Sequence, residues 1–198
     1  WDVGIQPVGV FGTTRRPDGT PEVYAGSVDL DAVASLGEEY GALDVEALVA
    51  LQPDLILNDM WADPPDIFGL DENTVAQIES FAPIAQILFV NQPITETIAS
   101  VEALAASLGA DLEAEEVVAA RAAFQQAEER LRAAIAEKPG LTVMFASGTP
   151  EESLWVANPS VNADLLYFKD LGMEIVQPEI EEGFFEELSW EQASKYPA

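Results

Sequence analysis

Short apolar runs and longer stretches with apolar residues every third or fourth position alternate along this chain, the pattern of strands interleaved with helices. Residues 7–11 (PVGVF), 55–57 (LIL), 84–90, 141–146 (LTVMFA) and 174–176 read as short buried strands, and 154–157 (LWVA) as a further extended segment. Helical spacing is expected over 45–51 behind Asp44, over 74–82, from Thr95 or Thr97 to Gly109, and over 162–171 before Gly172. Ser189 is placed to cap a last turn over 190–195. Residues 24–40 carry few signals, and 179–187 read as an acidic loop.

The longest helical signal runs from Asp111 to Gly140, with apolar residues at Val117, Ala120, Phe124, Ala127, Leu131 and Ala134. Glutamates at 113, 115 and 116 suit its positive end, Arg130, Arg132 and Lys138 its negative end, and Pro139-Gly140 stops it. Glu128 and Arg132 are one turn apart and spaced to pair. About 25 helical residues at ~1.5 Å each make a rod of roughly 37 Å. An ordinary surface helix satisfies this pattern, and so does a spine between two α/β lobes.

Composition narrows the function classes. The 198 residues, 48% hydrophobic, suffice for a sizeable core, and no apolar run approaches the ~20 residues of a membrane span. Against 36 acidic residues stand 8 basic ones, a formal charge of -28 that disfavours nucleic acid and anionic membranes as partners. Histidine and cysteine are both absent, which removes the Ser-His-Asp triad, the thiol nucleophile and the common zinc ligands. No phosphate-binding, dinucleotide-binding or nucleophile-elbow motif is present. With carboxylates this abundant, any two of them make a weak candidate for a catalytic pair. The turn Ser147-Gly148-Thr149 could offer N–H groups to an anion, which keeps an enzyme on a doubly wound sheet as an alternative reading. Arg15 and Arg16 stand side by side in the loop after the first strand, and Trp61 lies just beyond 55–57, at the end of a parallel strand where ligands bind.

The stretch YGALDVEALVALQPDLIL, residues 40–57, resembles the first-lobe signature of the substrate-binding proteins of ABC importers for iron-siderophores, haem and cobalamin. Val8-Gly9-Val10, Phe81-Ala82-Pro83-Ile84, Leu108-Gly109, the long helix, Trp155-Val156-Ala157-Asn158-Pro159 and Leu188-Ser189-Trp190-Glu191-Gln192 are similar to later parts of that family in the same order. The resemblance implies an α/β fold of two Rossmann-like lobes bridged by one long helix, here residues 1–110, 111–140 and a partial lobe 141–198, with the chain truncated at both ends relative to the family. It implies a monomeric, non-enzymatic, extracytoplasmic protein, periplasmic or lipid-anchored, that takes an Fe(III)-siderophore in an interlobe cleft and delivers it to a membrane permease. A cobalamin or haem cargo is the family's other option, though no histidine is present to ligate either. By the same resemblance Arg15 and Arg16 face the charge of the iron chelate, while Tyr40, Trp61 and Trp155 supply flat apolar contact. Glu46 and Glu191 match the family's two permease-docking glutamates. No resident metal or cofactor is implied.

Overall fold

The computed structural model describes residues 2–61, 66, 67, 69–149 and 153–196. The chain forms two compact units, Trp1–Leu88 with Glu102–Ala114, and Phe89–Val101 with Glu115–Ala198.

In the first unit, local signals place each element. Asp44 caps helix α1 (Val45–Leu51) by accepting from the Ala47 N–H at 2.9 Å. Gln52, left-handed at φ 49°, and Pro53 end it. The chain then enters β3 (Ile56–Met60), which pairs in parallel with β4 (Ile84–Leu88) over five residues. Between them Asp71 caps α2 (Glu72–Glu79), accepting from the N–H groups of Asn73 and Thr74. A second parallel pair joins β1 (Gly9–Val10) to β2 (Ala34–Ser35). Leu36, Leu48 and Ile78 are the buried centre, with Phe11, Leu51, Ile56 and Ile84 packed around them. Burying side chains of this size stabilises by about 1.5–3 kcal/mol each. Gly37 is fixed by its backbone: at φ 117° a Cβ would lie 2.5 Å from the Ala42 carbonyl oxygen.

The second unit holds the longest helix, α4 (Glu115–Ala136), and α5 (Ala163–Asp170), opened by Asn162. Phe124 stacks on Tyr167 with centroids 5.8 Å apart, the Tyr167 hydroxyl donates to Glu128 at 3.1 Å, and Arg132 reaches the Asp170 carbonyl. The expected Glu128–Arg132 pair forms at 3.1 Å. Three strands, β6 (Ala146–Gly148), β7 (Leu154–Ala157) and β9 (Phe185–Leu188), run antiparallel in the order β6-β7-β9. A parallel pair, β5 (Thr142–Val143) with β8 (Glu174–Ile175), completes the described strands. Leu154, Val156, Val176 and Leu188 form the core of this unit.

Several expectations shift. The helix expected over 111–140 is shorter, and α4 groups with the second unit throughout. The division between units instead runs through α3 (Ile94–Ser107), so the boundaries 1–110, 111–140 and 141–198 are not those of the compact units. The half-buried stripe of α4 is Val117, Arg121, Glu128, Leu131 and Ile135, whereas Ala120, Ala127 and Ala134 are exposed. Tyr167 and Asp170 turn Glu128 and Arg132 toward the protein, and that polar preference is invisible to an apolar count. The run 141–146 breaks at Met144-Phe145 into β5 and the start of β6. The acidic stretch hides strand β9: Glu186 and Leu188 point inward while Phe185 and Glu187 are exposed, and the inward glutamate masks the alternation.

Candidate functional site

In the first unit three loops beyond the strands are stitched together. The Gly12 N–H donates to the Gly37 carbonyl at 3.0 Å and the Thr13 hydroxyl to the Glu38 carbonyl at 3.1 Å, tying the loop after β1 to the one after β2. Tyr40, in the latter, donates its hydroxyl to Asp66, which also accepts from the Gly69 N–H at 2.8 Å. The tyrosine ring lies on Gly69, where a Cβ would come within 2.3 Å of it at a backbone φ of 68°, so glycine is required there. The hydrogen bond to Asp66 raises the Tyr40 phenol above its ordinary pKa and lowers the Asp66 carboxyl below its own.

These loops carry Arg15, Arg16, Tyr40 and Trp61, and the structure assigns every one a carboxylate partner. Arg15 pairs with Asp31 at 2.7 Å and also donates to the Gly19 carbonyl, and Arg16 lies 3.5 Å from Glu22. The Trp61 indole N–H donates to Asp59 at 2.6 Å. The adjacent arginines are thus not an isolated positive spot. Their loop closes on itself through the Arg15–Pro21 bridge and brings acidic residues beside them. Such exposed pairs contribute about 0–1 kcal/mol, so they position the guanidinium groups without locking them. Tyr40 is 71% and Trp61 48% exposed, which leaves ring surface available to a ligand.

The second unit contains a cavity of about 320 Å³ lined by Phe145, Ala146, Ser147, Ala157, Asn162, Asp164, Leu165 and Phe185. Sheet register builds it: Ser147 lies opposite Trp155, and Ala157 opposite Phe185, which places these side chains on one face of β6-β7-β9. Trp155 is half-buried on that face, beside the cavity rather than in its lining. Asn162 gives its amide donors to the carbonyls of Asn158 and Phe184 at 2.9 and 3.3 Å. Ser147 and Gly148 are engaged in strand pairing, so the turn kept there as an alternative anion site is sheet at those two positions. Sequence reasoning missed Phe145, Asn162, Asp164 and Phe185. The signal it could have used is the aromatic pair Phe184-Phe185 amid acidic residues, a local apolar spot in a polar stretch.

Glu46 and Glu191 occupy equivalent local positions, each exposed and each the second residue after a cap, Asp44 and Ser189 respectively. Around Glu191 the Ser189 N–H donates to the Gln192 side chain at 3.2 Å. Hydrogen bonds from its own backbone N–H and from the Ser189 hydroxyl hold the Glu191 carboxyl below the usual range. Among the described residues no group of three or more acidic side chains is arranged to hold a metal ion, and no helix is long and apolar enough to cross a membrane.

Comparison with known proteins bears on the whole chain. The family model for periplasmic binding proteins matches residues 2–198. The chain is similar to the ferric-siderophore receptor protein DesE of Streptomyces coelicolor, at 37% identity and a TM-score of 0.91, over 100% of this chain and 67% of that one. Two further structures share the fold. The siderophore-binding protein FhuD of Vibrio cholerae, solved with Fe3+-Desferal, aligns at 18% identity and a TM-score of 0.59, over 96% of this chain and 68% of that one. The triscatecholate siderophore-binding protein FeuA of Bacillus subtilis, complexed with Ferri-Bacillibactin, aligns at 14% and 0.62, over 98% of this chain and 61% of that one. No curated protein sequence matches the chain.

Proposed function

Because the chain belongs to the periplasmic binding protein family, we propose that it is an extracytoplasmic solute-binding protein that captures a ferric siderophore and delivers it to an ABC-importer permease. The observation that carries this reading is the match along the entire chain, at 37% identity, to a ferric-siderophore receptor. The chemistry agrees with it. Histidine and cysteine are absent and, among the described residues, no three acidic side chains are grouped to hold a bare ion, which supports iron as a chelated cargo rather than a cofactor. What the protein then recognises is the organic shell of the chelate. Trp61 and Tyr40 offer flat faces to it in the first unit, and Phe145, Phe185 and the neighbouring Trp155 do so in the second. Arg15 and Arg16 orient the shell's carbonyl oxygens. No bond is made or broken; the work is binding and release.

Glu46 and Glu191 serve the second partner. Each is an exposed carboxylate on a capped turn, and each is suited to pair with a basic permease surface. The test of the reading is a titration of the chain with ferric siderophores, iron-free siderophores, haem and cobalamin, followed by tryptophan fluorescence and calorimetry. Saturable binding of a ferric siderophore, with weaker binding of its iron-free form, is the expected result. Preferential binding of haem or cobalamin would replace the siderophore as cargo.

A further inference from the structure

Every donor-bearing side chain assigned to ligand contact in the first unit already faces a carboxylate of the chain: Arg15 with Asp31, Arg16 with Glu22, Tyr40 with Asp66 and Trp61 with Asp59. An approaching anion therefore meets two cations among four carboxylates, a net negative surface, rather than open positive charge. The cavity of the second unit repeats the bias by different means. Its lining holds Asp164, exposed on the first turn of α5, and no basic side chain. Asn162 turns its amide donors away to backbone carbonyls. Phe145, Leu165 and Phe185 give the wall its apolar part and Ser147 is its one other polar side chain, so a negative charge there finds few donors to replace lost hydration. The field of the whole chain, formally -28, has the same sign.

From these two faces, and resting on the siderophore reading above, we infer that the chelate this protein takes carries no net negative charge. It is an Fe(III) trihydroxamate, neutral at its metal centre or cationic through an amine arm, and not a triscatecholate. Three singly charged hydroxamates cancel the charge of Fe(III), whereas three doubly charged catecholates leave a trianion. An alkyl-ammonium arm also fits the cavity directly, with its methylene groups on Phe145, Leu165 and Phe185 and its charge beside Asp164.

Charge must be tested apart from shape. The same trihydroxamate, Fe(III)-Desferal, is titrated into the chain with its terminal amine free (cation), acetylated (neutral) and succinylated (anion), alongside ferri-bacillibactin, at low salt and in about 0.5 M salt. The cation is expected to bind about tenfold more tightly than the succinylated anion at low salt, with the gap closing in high salt. Ferri-bacillibactin is expected to bind at least about 100-fold more weakly than the neutral form. Asp164→Asn narrows the difference between cation and anion, and Asp164→Lys reverses it. Equal affinity for the three charge forms, or tight binding of ferri-bacillibactin, overturns this inference while leaving siderophore capture intact. An unchanged order in both Asp164 variants overturns the role given to the cavity. Binding of none of the chelates overturns the siderophore reading itself.

Discussion

Glu186 is the residue whose loss is most readily converted into a number. It lies on β9 opposite Val156, a residue with 0% exposure, and so carries a carboxylate into the apolar face of the second unit's core. Burial by itself raises its pKa. Hydrogen bonds from Lys195, from the Tyr196 hydroxyl at 2.6 Å and from the Glu179 N–H at 3.3 Å outweigh burial and hold it below the usual glutamate range. Lys195 is raised above its ordinary value, its hydrogen bonds to Glu186 and Glu179 being the main causes. Charge-assisted hydrogen bonds are worth about 1.5–3 kcal/mol, and stranding a fully buried partner costs about 3–5 kcal/mol. Glu186→Ala should fall at the lower end, because Lys195 keeps Glu179 at 3.0 Å and its side chain is 29% exposed. The expected loss is about 2 kcal/mol, which for a chain of this size lowers the melting temperature by about 4–8 °C. Glu186→Gln, which keeps an acceptor, should lose about half as much.

The sign with pH follows from the lowered carboxyl. Its contribution is present above the unfolded pKa, near 4.3, and disappears as pH falls through the lower folded value. Thermal melts of the wild type and Glu186→Ala, followed by circular dichroism, should therefore differ more at pH 7 than at about pH 3. A shift below about 1 °C at pH 7, or an equal gap at both pH values, would refute the network as a source of stability. The consequence extends to docking, since Lys195 and Tyr196 come three and four residues after the short 3-10 turn Trp190–Gln192 that presents Glu191.

Three other substitutions probe separate parts of the molecule. Trp61→Ala should weaken ferric-siderophore binding roughly 3- to 10-fold and remove much of the ligand-induced fluorescence quenching, the loss of one aromatic contact worth about 0.5–1.5 kcal/mol; unchanged affinity and quenching would take Trp61 out of the site. Gly37→Ala combines a positive φ with a 2.5 Å approach to a backbone oxygen, so urea melts should show a loss of about 2 kcal/mol or more, and a neutral result would mean that the turn relaxes freely. Reversing both Glu46 and Glu191 to lysine should leave chelate affinity within about twofold while uptake through the importer falls sharply, as expected of rim charges that govern encounter. Uptake that survives the double reversal would reduce both to ordinary helix residues.

The parts of the fold legible in the sequence are those written by local chemistry. Helix α1 has the bounds that Asp44 and Pro53 impose, and the strand after it follows because an apolar run behind Pro-Asp has few alternatives. The resemblance carried by residues 40–57 was enough to reach the family, and with it the two-lobed α/β class. What escaped depends on contacts between residues far apart in the chain. The half-buried stripe of α4 includes Arg121 and Glu128, polar positions that no hydrophobic count selects. Strand β9 disappears into an acidic run because its inward glutamate is matched by Lys195 and Tyr196 only after the chain has folded back.

Arg15 and Arg16 show the same limit where it touches function. Adjacent arginines in a chain of charge -28 read as a positive spot, since nothing in their spacing announces Asp31 or Glu22. Folding sets a carboxylate 2.7 Å from the first and 3.5 Å from the second, so the charge a ligand meets is that of the pair and not of the arginine. The same substitution of pair for residue holds for Trp61 with Asp59 and Tyr40 with Asp66. Under the proposed function, residue identity can therefore mark candidate contacts for a siderophore. The charge of the siderophore depends on the neighbours of those residues, and a scaffold of this family could change its preference between chelate classes by altering Asp31, Glu22 or Asp164 while keeping every arginine and aromatic in place.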